Sequence, residues 1–537
     1  MESQNSAGAP PAAGSAPLSD KQVSSGFGLR QKIGLILGPL AFVLVGLFSG
    51  LPTAASWTAA TVLLMSIWWI TEAFPLWLTA CVPLIAFPVI GVGEWRFVAL
   101  QYFEPLNFLF LGGMLIAACM QEWGLHRRIA LGIIAKVGTS PRRIVLGVML
   151  ATAFITLWIS NTAAAVMMFP IAMAIILRFE EQHGRHDPVQ RRFGLAVMLG
   201  LAYAASIGGI GTKIGTGTNF VFLKNVKDVL GPRDIDFLTW LKVGMPVVLI
   251  SIPVVWLYLV RVAAPLPAQD FPGARKAIDD ARASQGRVQP GEWIALIAFL
   301  SVALLWIFRK PIAFSEGFTI PGWSQWVPFG LEDVLGRKLD TFPKPVQRLL
   351  SDPGDAIVAI LIALPLLIIP AQTKPVKFAL SPRAAAGVSW GLLVMLGGGF
   401  AMAYGIQESG LSKEIGSHLG GVGQMHPFAA MLLLCLIATT LTEVASNTAT
   451  ASILLPIIAA SQEHFGAQTA ALMFAVTLAA SFGFMLPAGT PPNAVAYSSG
   501  YISAPQMARS GLVVDVMGTT LIAVVCYFLA PWALGIR

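Results

Sequence analysis

The chain has 537 residues, 56% of them hydrophobic and 12% charged, and a formal net charge of +8. Its mean hydropathy is +0.73; with about half the charge of an ordinary soluble domain it cannot cover a water-facing surface of this size, which excludes a cytosolic enzyme, a disordered protein and a secreted disulfide scaffold. Lipid must be the solvent for most of the chain, and the excess Lys and Arg belong to cytoplasmic loops rather than to a nucleic-acid surface.

In chain order, residues 1–28 are rich in Ala, Gly, Ser and Pro, have no apolar period, and read as a disordered cytoplasmic tail without the layout of a cleaved signal. Arg30 and Lys32 stand just before the first apolar run and place that tail in the cytoplasm. Apolar runs fit spans at about 33–51, 56–73, 75–92, 104–120, 143–178, 193–210, 242–263, 291–308, 354–371, 387–405, 427–460, 468–487 and 511–531. The runs at 143–178 and 427–460 are too long for one crossing and short for two, and each contains Ser-Asn-Thr. Each reads as a helical hairpin or a broken helix, its polar tip buried in protein or facing a water cavity. The stretches 179–192, 224–240, 264–290 and 309–353 read as loops, and FTIPGWSQWVPFG (318–330) suits either a membrane interface or a plain surface loop. Cys81, Cys119, Cys435 and Cys526 lie in apolar runs without pairing or metal spacing and read as small buried hydrophobes.

The chain repeats itself. LGGMLIAACMQEWGL (111–125) matches LGGGFAMAYGIQESGL (396–411), and TLWISNTAAAVMMFP (156–170) matches TEVASNTATASILLP (442–456). Gln121 and Gln407, Ser160 and Ser446, and Pro170 and Pro456 are each 286 apart. A third pair follows in the same order, GTGTN (215–219) and GTPPN (489–493). Duplication explains the repeat, but polar residues at membrane depth cost free energy unless they find partners. Their presence in both halves points to a shared site, as in secondary transporters built from repeats with discontinuous helices.

The paired SNT motifs and their GTPPN-like turns, with WWITEAFPLWLTACVPL (68–84) and GDAIVAILIALPLL (354–367), resemble the divalent anion/sodium symporter family over about residues 33–535. The resemblance implies an all-α polytopic fold, an inverted repeat of about 11 transmembrane helices plus two re-entrant hairpins. It also implies a homodimer whose protomers have scaffold and elevator transport domains, in a bacterial inner membrane. On this reading residues 29–263 form the first repeat, 264–290 a polar connecting loop and 291–537 the second repeat. The implied activity is secondary active transport of di- or tricarboxylates coupled to sodium ions.

A dianion leaving water needs donors. Helix N-termini supply free N–H groups and partial positive charge, and Ser, Thr and Asn add donors without fixed charge. The residues matching the family's substrate contacts are Ser160, Asn161, Thr162 and Thr216 in the first half, and Ser446, Asn447, Thr448, Thr490 and Pro491 in the second. Sodium prefers oxygen ligands such as unwound carbonyls and hydroxyls. By resemblance the first sodium site uses Thr156, Ser160, Asn161 and Gly215, and the second Thr442, Ala445, Asn447 and Gly489.

The first turn departs from the family pattern. It reads GTKIGTGTN, with Lys213 where an aliphatic residue is usual and Gly217-Thr218 in place of Pro-Pro. Two readings of Lys213 compete: a side chain pointing into water or the interface, or an ammonium that partly replaces a sodium ion and favours dicarboxylate exchange. A sodium/sulfate symporter is the other alternative, since neutral donors suit any divalent oxyanion. Glu443 reads as an anchor of the second hairpin, with a proton-coupling role as the alternative, and Glu122 and Glu408 read as structural. No nucleophile elbow, phosphate-binding loop or metal-ligand cluster supports an enzyme, and two unlike half-sites in one chain suit a carrier better than a channel.

Overall fold

A computed structural model describes residues 28–183, 187–231, 235–269, 274–315, 318–325, 344, 347, 354–418 and 425–536. All but the last residue of the expected tail at 1–28, and most of the loop at 309–353, lie outside the described residues. Among those described, nine helices are long and apolar enough to cross a membrane.

The principal helices are α1 (Leu29–Phe48), α2 (Thr53–Thr71), α3 (Val82–Ile90), α4 (Pro105–Glu122), α5 (Leu125–Val137), α6 (Pro141–Thr156), α7 (Asn161–His183), α8 (Pro188–Gly209), α9 (Gly217–Leu230) and α10 (Phe237–Tyr258). They continue as α11 (Pro290–Ile307), α12 (Asp355–Ala363), α13 (Trp390–Glu408), α14 (Leu411–His418), α15 (Pro427–Thr442), α16 (Asn447–Ala460), α17 (Thr469–Ala479), α18 (Pro491–Tyr497) and α19 (Ala504–Leu534). The order α4–α10 recurs as α13–α19, in step with the sequence repeat.

Each long Ser-Asn-Thr run is two helices meeting at a break. α6 stops at Thr156 and α7 starts at Asn161; α15 stops at Thr442 and α16 starts at Asn447. Ser at these positions favours a helix start because its hydroxyl can take an orphan N–H. Ser160 Oγ accepts from the Ala163 amide at 3.4 Å, and Ser446 Oγ accepts from the Ala449 amide at 3.2 Å.

The expected span at 468–487 is shorter than its apolar pattern. α17 ends at Ala479 and the chain runs without regular helix to Thr490, through Gly483, Pro487 and Gly489, which break a helix that apolarity alone would continue. Three expected loops are partly helical: α7 runs to His183 and α8 starts at Pro188 within the expected loop at 179–192, α9 covers 217–230, and a helix at Ala274–Ala283 in the connecting segment packs on α5 and α7, with Ile278 buried. The all-α expectation also needs small additions. Strands β1 (Ile312–Ser315) and β2 (Phe318–Ile320) pair antiparallel, as do β3 (Pro370–Thr373) and β4 (Val376–Phe378). Of the Trp- and Pro-rich segment, residues 318–325 are described; Trp323 Nε1 donates to the Leu305 carbonyl at 2.6 Å, so this part packs on the end of α11. Cys119, Cys435 and Cys526 are buried, whereas Cys81 is half-buried, unlike its expected full burial.

Position in the core follows composition. α8 is apolar all round and buried along nearly its whole length, as an interior helix should be. α1 instead exposes Leu29, Ile36 and Phe48, and α19 exposes Phe528, faces suited to lipid. The two halves interlock around α8. α9 packs on α16 of the other half, and α18 packs on α7 and α8.

Candidate functional site

The two turns after α8 and α17 have the same build. Thr216 is extended (φ −145°, ψ 154°) before α9, and Thr490 is extended (φ −135°, ψ 147°) before α18. The Asn that closes each motif braces its turn. Asn219 Nδ2 donates to the Gly209 carbonyl at 3.1 Å and the Thr212 carbonyl at 2.7 Å. Asn493 Nδ2 donates to the Gly483 and Leu486 carbonyls, both at 3.0 Å. An amide with two donors suits this task because it satisfies two carbonyls that a broken helix leaves unpaired. Sequence reasoning named neither Asn as a site residue, although both terminate the repeated motifs.

Turn one closes on tip one. Gly215 is packed so tightly that an added Cβ would lie 2.7 Å from the Thr156 carbonyl oxygen, with the Gly209 oxygen closer still. Gly209 in turn is pressed against Asn161 Oδ1. That oxygen is buried and has no hydrogen-bond partner among the described residues. Thr156 is fully buried, its hydroxyl donating to the Ala153 carbonyl at 3.0 Å. Thr156, Asn161 and Gly215 thus come together, with several oxygens and no positive charge between them. Such a donor set fits a small hard cation.

Tip two and turn two form the counterpart. Thr442 Oγ1 lies 2.9 Å from Asn447 Oδ1 and 2.8 Å from the Ala480 carbonyl, two acceptors for its one hydroxyl proton. A Cβ on Gly489 would lie 3.2 Å from the Glu443 carbonyl. The Glu443 carboxylate accepts from the Met485 and Leu486 amides at 2.9 and 3.0 Å, so it anchors the break to the chain before Gly489. Ala445 is buried in the same break, and Thr490 is buried with its hydroxyl unpartnered among the described residues.

The halves meet at Gly217 and Thr448. A Cβ on Gly217 would stand 2.6 Å from Thr448 Oγ1, so turn one lies directly against tip two. Thr218 Oγ1 and Ser481 Oγ, 3.2 Å apart, make a second link. The N-termini of α7, α9 and α16 therefore belong to one interlocked assembly, which suits an anion. Two expected site residues stand apart: Thr162 and Pro491 are exposed, unlike their neighbours Asn161 and Thr490.

A cavity of about 1010 Å³ reaches Ser160 at tip one. Trp158, Ile159 and Ile214 line it near the tip, and Arg127, Lys377 and Arg383 line it among exposed residues. Its lining carries both signs of charge, with Glu122 and Asp280 beside these basic residues.

Lys213 lies elsewhere. Its ammonium is 2.6 Å from Asp355 Oδ2 and donates to the Ile235 carbonyl at 2.5 Å. This corrects both sequence readings of the residue: it is buried rather than facing water, and it points to a carboxylate rather than to the oxygens around Gly215. A buried ammonium is costly unless paired, and Asp355 provides that pairing.

The sodium:sulfate symporter transmembrane region, as a family model, matches residues 30–534 of this chain. The chain is 36% identical over 524 residues to the sodium-dependent dicarboxylate transporter SdcS of Staphylococcus saprophyticus, covering 96% of this chain and 95% of that one. It is 35% identical over 517 residues to the protein of the same name from Staphylococcus aureus strain MRSA252, covering 95% and 93% of the two chains. Among solved structures it resembles the Alcanivorax borkumensis YdaH transporter with a TM-score of 0.52 at 13% identity, over 81% of this chain and 88% of that one, a likeness of fold alone.

Proposed function

This chain belongs to the sodium:sulfate symporter family, and from that premise we propose that it carries small dicarboxylates of the succinate, malate and fumarate class across a bacterial plasma membrane, driven by sodium. Relatives that align over nearly the whole chain are named sodium-dependent dicarboxylate transporters, which supports the substrate class. The observation that carries the reading is the contact of turn one with tip two at Gly217 and Thr448, because a site shared by both halves needs them adjacent there.

In this reading Ser160, Asn161 and Thr216 meet one carboxylate, and Ser446, Asn447, Thr448 and Thr490 the other, with Thr162 and Pro491 at the margin. One sodium ion is held by oxygens of Thr156, Ser160, Asn161 and Gly215, a second by those of Thr442, Ala445, Asn447 and Gly489. The cations offset the dianion's charge and leave with it, so the empty site carries no strong fixed charge through a low-dielectric barrier. Residues 29–263 and 291–537 act as two inverted repeats, and the site-bearing hairpins move as an elevator against a scaffold within a homodimer.

Uptake of labelled succinate into proteoliposomes tests this. Asn161→Ala and Asn447→Ala should each abolish uptake while the protein stays monodisperse; near wild-type uptake in both would sink the assignment. Sulfate is the rival substrate that the family's name brings forward. Unlabelled sulfate that competes with succinate as strongly as fumarate does would favour it.

A further inference from the structure

Lys213 sits between two residues that face the site. Thr212 gives its hydroxyl to the Leu157 carbonyl at the end of α6, and Ile214 lines the cavity that reaches Ser160. Lys213 points the other way, to the first turn of α12. There Asp355 holds it with Oδ2 at 2.6 Å, while Asp355 Oδ1 lies 2.8 Å from Arg309 Nε. Lys213, Asp355 and Arg309 are 2%, 6% and 1% exposed. Placing three charged groups in such an interior carries a heavy desolvation penalty before pairing, so it calls for a reason. The fold itself does not require a cation in this turn. The two turns superpose in sequence on Gly215 and Gly489, and two residues before Gly489 stands Pro487.

The reason lies two residues further on. Gly215 is pressed against the Thr156 and Gly209 carbonyls, next to the Asn161 oxygen that has no partner among the described residues. An oxygen-rich cradle of this kind attracts any cation, and a lysine ammonium on its flexible stem is a compact cation with three donors. Without Asp355, Lys213 would keep the Ile235 carbonyl as one acceptor, and the cradle two residues along the chain, built from turn one and tip one, would offer its ammonium several more. Asp355 outcompetes it: a carboxylate in the first turn of a helix is favoured by the helix dipole and carries a full negative charge, which a carbonyl does not.

We propose that Asp355 is a positioning residue for the first cation site: by holding the Lys213 ammonium against α12, it keeps a fixed charge out of the cradle at Gly215 and leaves that place to a dissociable sodium ion. The inference rests on the sodium-coupled reading and adds to it a residue outside the two repeated motifs. It also accounts for how a chain with a lysine in this turn keeps its coupling to a mobile ion. The lysine is tolerated because a second residue, far away in sequence, removes it from competition.

The test uses the full-length protein in proteoliposomes, with succinate uptake measured against external sodium at constant ionic strength. Asp355→Asn should raise the half-saturating sodium concentration about tenfold or more, the scale of a buried charge set free, while KM for succinate at saturating sodium stays within about twofold. Asp355→Asn combined with Lys213→Met should bring sodium half-saturation back to within about twofold of wild type. A purely structural pair gives the opposite pattern: lower Vmax or yield in Asp355→Asn, an unshifted sodium curve and no rescue by Lys213→Met. That pattern overturns the proposal. Should Asp355→Asn fail to fold, Asp355→Glu decides, because its longer stem moves the carboxylate that holds Lys213: a raised sodium half-saturation that Lys213→Met reverses supports the proposal, and an unshifted curve refutes it. A wild type indifferent to sodium would instead remove the coupling reading, and with it the ion whose place Asp355 is proposed to keep clear.

Discussion

The contact between Gly217 and Thr448 offers a quantitative test of whether the two halves build one site. In Gly217→Ala the new methyl would lie 2.6 Å from Thr448 Oγ1, 3.4 Å from its Cγ2 and 3.6 Å from Leu392 Cδ1. A relaxed C···O contact is about 3.3–3.6 Å, so the hydroxyl must retreat by roughly 0.7 Å or more. Thr448 is buried and β-branched, with few rotamers to retreat into. Overpacking of this kind costs about 1–3 kcal/mol. If the strain falls on the substrate-bound state, each ~1.4 kcal/mol raises KM about tenfold, so Gly217→Ala should raise KM for succinate by between several-fold and about a hundredfold. Thr448→Ser keeps the hydroxyl but frees its rotamer, and should be mild alone. Combined with Gly217→Ala it should recover at least about 1 kcal/mol of the loss, a coupling that independent sites do not show. The assay is succinate uptake in proteoliposomes, paired with melting in detergent to separate folding from binding. A wild-type KM in Gly217→Ala, or strict additivity in the double variant, would refute the claim that turn one and tip two share a ligand.

Three further outcomes are expected. Asn219→Ala and Asn493→Ala each remove two hydrogen bonds to buried carbonyls, and each should destabilise the protein by about 1–3 kcal/mol in a detergent melt; a loss in only one would contradict the equivalence of the two turns. Arg128→Ala strips Glu292, only 4% exposed, of contacts at 2.5 and 3.0 Å. It should cost clearly more than Arg178→Ala, whose pair with Glu181 is largely exposed and worth about 0–1 kcal/mol; equal losses would refute this ranking. A cysteine placed before Arg30 should label only from the cytoplasmic side and a tag after Arg537 only from the outside; a tag labelled from the cytoplasm would refute the odd count of about 11 crossings that the family resemblance implies.

The parts of this molecule that were legible in the sequence obey short-range rules. A serine before a helix start, a proline after a glycine and an apolar run of membrane length act within a few residues, so the breaks at 157–160 and 443–446 could be placed from the repeat alone. The early end of α17 is hidden in the sequence because its apolar pattern continues past the glycines and the proline that stop it. The brace made by Asn219 and Asn493 was visible as a repeated letter but not as a task, since the carbonyls it satisfies are orphaned only once both neighbouring helices have ended.

What the sequence withheld is set by packing between segments far apart in the chain. Lys213 meets a partner 142 residues away, and Thr218 one 263 residues away. Periodicity contains nothing that selects Asp355 over any other acidic residue. Lys213 therefore looked either exposed or poised at the cation site, the two answers open to a residue considered only with its neighbours in sequence. The asymmetry between the halves arises in the same way. Thr162 and Thr448 occupy equal places in their motifs, yet Thr448 is buried against Gly217 while Thr162 is exposed. A duplicated motif preserves its local geometry, but its surroundings differ because each copy packs against the other rather than against itself. The two SNT tips therefore need not contribute equally to binding, and Thr448 should matter more than Thr162: Thr448→Ala should weaken succinate uptake by about tenfold or more, the cost of an unpaired buried polar partner. Thr162→Ala should stay near wild type, and comparable losses in the two variants would mean that the exposed threonine is drawn into the site when substrate binds.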